Sequence, residues 1–155
     1  AVAVVLLAFL VSSGLGSLCQ RTLFDRGLLT VPRLALLLAA VLLAGNWLLP
    51  ELFHSGAIAW PIGAKIGVTI AAIFVFAFPM GMFFPAGIRL VENAAPDFVP
   101  WAWGSNSAAS VIGSILALIL AIHTGFAAVA VIAAAIYLLT TVPSVAALRR
   151  YGAGT

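Results

Sequence analysis

Residues 78–125 read FPMGMFFPAGIRLVENAAPDFVPWAWGSNSAASVIGSILALILAIHTG. The stretch holds two apolar runs joined by a polar, tryptophan-marked segment. Its first run is broken by Pro79, Gly81 and Pro85. Proline removes a backbone donor and disturbs the carbonyl one turn earlier, so Pro85 is expected to end that run. The second run opens on Ser105, Asn106 and Ser107 and continues for about twenty mostly apolar residues. That is the length a helix needs to cross a hydrocarbon core of ~30 Å. Trp101 and Trp103, just before it, suit the headgroup level, where one face of the indole ring is apolar and its N–H is wet.

The rest of the chain repeats the pattern. Of 155 residues, 65% are hydrophobic and 7% charged, with a mean hydropathy of +1.25. Soluble domains carry about a quarter charged residues, and no compact fold in water hides this much apolar surface. The chain reads as an all-α, polytopic membrane bundle forming a single domain, with about five spans at 1–18, 34–50, 64–85, 102–123 and 126–148. Only helices and closed barrels satisfy their backbone groups in lipid, and these runs lack the alternation of barrel strands. The segment 86–100 is expected to form a short interfacial helix ending near Pro96. Pro143 marks a break late in the fifth span. With no initiator methionine and no basic leader, residue 1 is expected to be the first ordered or processed residue of a longer chain.

Five spans place Arg21, Arg26, Arg33, Arg89, Arg149 and Arg150 on one side and Lys65 alone on the other. Basic residues concentrate in cytoplasmic links, so the arginine side and the C-terminus are expected to be cytoplasmic, in a bacterial inner membrane. There is no basic tract of the kind that binds nucleic acid. A single cysteine, Cys19, excludes an intramolecular disulfide framework and a CxxC metal site. Glycine-rich nucleotide loops, metal-spaced clusters and nucleophile–base pairs are absent from the sequence, so no catalytic or metal residue is assigned.

Three groups of residues carry candidate roles. On the fourth span Ala109, Gly113 and Ala117 recur every four residues, with Ser110 and Ser114 beside them. Small residues at this spacing let a second helix approach closely, which makes this the predicted helix-packing face. The SSGLGS run at Ser12–Ser17 is similarly small. Asn46, Asn106, Pro79 and Gly81 are the candidates for a polar cavity, since unwound backbone lines substrate sites in some transporters. The alternative is a packing kink, with the amides bonded to neighbouring helices or to a helix end. His54 and His123, near span ends on the side opposite the arginines, are the weak candidates for holding a pigment or haem. An interfacial polar role is the simpler reading, and no cofactor is expected. Arg89 and Glu92, three residues apart, read as a surface ion pair, and Asp25 as the partner of Arg21 and Arg26.

FPMGMFFPAGIR at Phe78–Arg89 and VPWAWGSNSAASVIGSILALILAIHTGF at Val99–Phe126 resemble the membrane part of spermidine-synthase-like membrane proteins. These fuse major-facilitator-like helices to an aminopropyltransferase-like domain. AVAVVLLAFLVSSGLGSL at the start resembles the first helix of that family's later membrane half, so the resemblance runs to about Thr140. The family's nucleoside-type substrate site lies in the soluble domain, which this sequence lacks, and no catalytic residue is carried over. The resemblance thus implies a membrane block without transferase activity. Its expected role is a structural or accessory subunit packing with other membrane chains or further helices. The alternative is a transport module for a small cationic or amphipathic solute such as a polyamine. Against transport, no acidic residue falls mid-span, where cation or proton coupling often needs one.

Overall fold

The computed structural model describes residues 2–54 and 60–142, with the backbone alone at 52–54. Every regular element among the described residues is helical: α1 (Val2–Asp25), α2 (Val31–His54), α3 (Ile62–Ala94), α4 (Val99–Thr124) and α5 (Phe126–Leu139), with a 3₁₀ turn at Pro96–Phe98 between α3 and α4. Four of them, α1 to α4, are long and apolar enough to cross a membrane. The chain is an all-α integral membrane protein. The fifth, α5, has 14 residues, about 21 Å of helix at 1.5 Å per residue. The expected span to residue 148, Pro143, Arg149 and Arg150 lie partly or wholly outside the described residues.

Local chemistry sets most of the helix ends. Past α1, Gly27 adopts φ 68°. The Gly27 amide donates to the Phe24 carbonyl (2.9 Å) and the Leu28 amide to the Leu23 carbonyl (3.1 Å). This is a Schellman closure, in which two amides beyond the helix end satisfy carbonyls of its last turn. Because it forms only at Gly27, α1 runs to Asp25, well past the expected end at residue 18. Pro32 and Pro100 sit at the second residue of α2 and α4, where a missing N–H costs nothing. Gly125, at φ 86°, separates α4 from α5.

The largest departure from the sequence reading is α3. It does not stop at Pro85 but runs for 33 residues through Pro79 and Pro85 to Ala94. The expected interfacial helix is therefore the end of α3 itself. Proline is tolerated within membrane helices where neighbouring elements hold the chain across the lost hydrogen bond. Here Pro79, Met82 and Ala86 are buried, so packing carries α3 over its breaks. At ~50 Å the helix is far longer than a hydrocarbon core of ~30 Å. Its last turns, with Arg89, Glu92 and Asn93, extend beyond the apolar part. Likewise α2 continues past Pro50 to His54.

The packing is an open ring with one appendage. α2 packs on α3 and α5, α4 on α5 and more lightly on α3, and α1 lies against α3. Among the described residues the buried core is small: Ala8 of α1, Leu34, Ala35, Leu38 and Ala39 of α2, Ala77, Met82 and Ala86 of α3, and Ala134 of α5. Phe83 of α3 meets Tyr137 of α5 edge-on at 4.9 Å between centroids, and Phe84 meets Trp103 of α4 at 4.7 Å. Most other large apolar side chains, such as Leu6, Leu10, Leu118 and Ile122, face outward. In water that surface would be costly; against lipid tails it is not.

Candidate functional site

The tightest contact in the molecule is the seam between α1 and α3. On α1, Ala8, Ser12, Gly16 and Gln20 recur every fourth residue and are all buried. On α3 the seam reaches Gly81. A Cβ at Gly16 would overlap the carbonyl of Phe78, and a Cβ at Gly81 would overlap the carbonyl of Ser13. The two backbones touch, which only glycine permits at either place. Ser13–Gly16 faces Phe78–Gly81, and further along Asp25 faces Arg89, so α1 and α3 run parallel.

Their parallel course gathers charge at one end. Arg89 Nη2 donates to Asp25 Oδ1 at 2.7 Å, across 64 residues of sequence. Arg21 Nε lies 3.7 Å from Asp25 Oδ2, one helical turn away. Arg33 Nη1 donates to the Gly27 carbonyl at 3.4 Å. Arg21, Arg26, Arg33 and Arg89 thus share one end of the bundle, while Lys65 lies in the first turn of α3 at the other. The expected Arg89–Glu92 pair is replaced by Arg89–Asp25, because α3 delivers Arg89 to the end of α1. Both partners are about half exposed, with side-chain accessibilities of 39% and 48%. The pair therefore orients the helix ends more than it stabilises them. Gln20 Nε2 and Arg89 Nη1 are buried and have no hydrogen-bond partner among the described residues.

The other candidates take different positions. Pro79 is buried and Gly81 is filled by the Ser13 backbone, so both serve packing rather than a cavity. Asn46, in α2, is half-buried and Asn106, in α4, is exposed. Asn106 is the eighth residue of α4, too far in to cap it. On α4, Ala109, Ser110, Gly113 and Ser114 are exposed and Ala117 half-buried, and among the described residues nothing outside α4 lies near Gly113. The predicted packing face therefore meets no partner within the described residues. Its hydroxyls turn inward instead: Ser107 donates to the Trp103 carbonyl (3.0 Å), Ser110 to Asn106 (2.7 Å) and Ser114 to Val111 (2.8 Å). His123 is exposed in the last turn of α4. His54 ends α2, and its side chain lies outside the described residues. Among the described residues, no three of His, Cys, Asp and Glu gather as a metal site.

Sequence reading missed the Asp25–Arg89 pair and the seating of Gly81. The one available signal was the small-residue run at Ser12–Ser17, which does form a close helix contact. Its partner could not be named without knowing which helices are neighbours. No protein-family model, no curated protein and no solved structure matches the chain.

Proposed function

We propose that this chain is a structural or accessory module that packs, through α4, with further helices of a larger membrane assembly. The observation that carries the reading is the contrast between its two small-residue faces. The face on α1 is closed by α3, down to backbone contact. The equivalent face on α4 is open, and no residue of α4 is buried. Helices associate in lipid through close packing and hydrogen bonds rather than through hydrophobic burial, so an open small-residue face is where a further helix fits. Derivation from the membrane part of a spermidine-synthase-like protein belongs to the same proposal. So does a bacterial inner membrane with the arginine-rich end in the cytoplasm, on the strength of the arginine asymmetry. The transport alternative draws no support from Pro79 and Gly81, which are used in packing.

The test is purification in mild detergent, with identification of co-migrating chains. The expected result is a species larger than one chain. Gly113→Leu should reduce it in size while leaving the chain's own melting temperature unchanged, since no described residue outside α4 lies against Gly113. A single-chain species, with solute-dependent thermal stability, would favour transport instead.

A further inference from the structure

The end of α1 and the turn into α2 set cationic groups directly beside exposed apolar ones. α1 lies against α3 along one face, and its other side is uncovered among the described residues. On that side Leu18 is 77% exposed. Arg21 follows three residues later, about 60° around the helix, with its side chain 84% exposed. Arg26 and Arg33 are exposed as well, and Leu28 between them is 58% exposed. Leucines on both sides of Arg21 and Arg26 in sequence place these guanidiniums where apolar surface gives way to water, the level to which arginine snorkels. The one carboxylate on this turn, Asp25, is taken by Arg89 at 2.7 Å. Arg21 reaches its other oxygen only through Nε, at 3.7 Å, and Arg26 makes no hydrogen bond or ion pair among the described residues. Glu92 and Asp97, the other acids of this end, belong to the link between α3 and α4.

We infer that this surface binds an anionic phospholipid, with the headgroup phosphate on Arg21 and Arg26 and an acyl chain running along α1 past Leu18. The choice of occupant follows from charge and apolarity together. A guanidinium with unspent donors pairs with phosphate oxygens through charge-assisted hydrogen bonds. A free phosphate would use the arginines but has nothing to place against Leu18 and Leu28. A zwitterionic lipid would match the leucines but brings its own cation to a surface that is already cationic. Only an amphiphile with a net negative head satisfies both halves. Each arginine near an anionic lipid surface contributes about 1 kcal/mol, which is about fivefold in affinity. The inference concerns α1 and its turn, so it stands apart from the packing role of α4 and from the side of the membrane on which the turn lies.

The experiment is lipid titration of the full chain in mild detergent, read by native mass spectrometry. The probes are phosphatidylglycerol and phosphatidylcholine with the same acyl chains. Phosphatidylglycerol should be retained more tightly, and Arg21→Gln and Arg26→Gln should each lower its affinity about fivefold while leaving that of phosphatidylcholine unchanged. Arg21→Lys and Arg26→Lys, which keep the charge, should retain most of the preference. Lys65→Gln, at the other end of α3, should leave it intact. Equal affinity for the two lipids would overturn the inference. An equal loss on Lys65→Gln would also overturn it, because the preference would then report net charge and not this surface. Displacement of phosphatidylglycerol by millimolar inorganic phosphate would assign the arginines to a free anion and overturn the lipid as occupant.

Discussion

Gly16 and Gly81 are the residues on which the molecule is most intolerant of change. Each would place its Cβ on a backbone carbonyl of the opposing helix, and backbone cannot rotate away as a side chain can. Gly16→Leu or Gly81→Leu should therefore destabilise the chain by about 1–3 kcal/mol or more, through forced separation of α1 from α3. Gly14 is the internal control, since a Cβ there meets nothing among the described residues. Gly14→Leu should change stability by less than about 0.5 kcal/mol. Thermal unfolding of the three variants in one detergent checks this. Equal melting temperatures for the Gly14 and Gly81 variants would show that the seam is looser than described. All three glycines are visible in the sequence as small residues in apolar runs. Which of them is sterically committed depends on the helix opposite, and no local pattern states that.

Among the elements, α3 departs furthest from its local signals. Two prolines and a glycine within seven residues read as a break, and an isolated helix of this sequence would bend or end there. In the folded chain, burial of Pro79, Met82 and Ala86 holds it continuous. Continuity has a measurable consequence, because the last turns of α3 must leave the apolar zone as helix. A cysteine replacing Glu92 should react with a membrane-impermeant maleimide, and one replacing buried Met82 should not. Protection of the cysteine at 92 would mean that the end of α3 stays embedded. The other helix ends have local chemical causes, though the sequence reading did not use them. Gly27 and Gly125 stop helices through backbone conformations available in their own sequence neighbourhood, and Pro32 and Pro100 start them.

At the scale of the whole molecule, the parallel course of α1 and α3 and the shared end of Arg21, Asp25, Arg26, Arg33 and Arg89 define one polar pole. Cysteines introduced at Arg26 and Asp97 should be labelled from one side of the membrane, and those at Lys65 and Thr124 from the other. Labelling of Arg26 and Thr124 positions from the same side would remove one of the crossings. The expected arrangement follows from the helix order alone: α2 returns the chain, so α1 and α3 point the same way, and α4 turns back after the short Pro96–Phe98 turn.

The sequence by itself determined the medium, the helical class, the approximate spans and the clustering of arginines toward one end. All of these follow from properties that add along the chain: apolar content per turn, the need to satisfy backbone groups in lipid, and the cost of moving charge across it. What only the tertiary structure decided is who touches whom. Two small-residue faces, Ser12–Ser17 on α1 and Ala109–Ala117 on α4, look alike in sequence, yet one is sealed by α3 and the other stands open. Arg89 had a partner three residues away in Glu92 and took Asp25, 64 residues distant, instead. Pro85 signalled an end and lies inside a helix. In each case the local preference is weak, and contact with a neighbouring helix, invisible to any window of sequence, settles it.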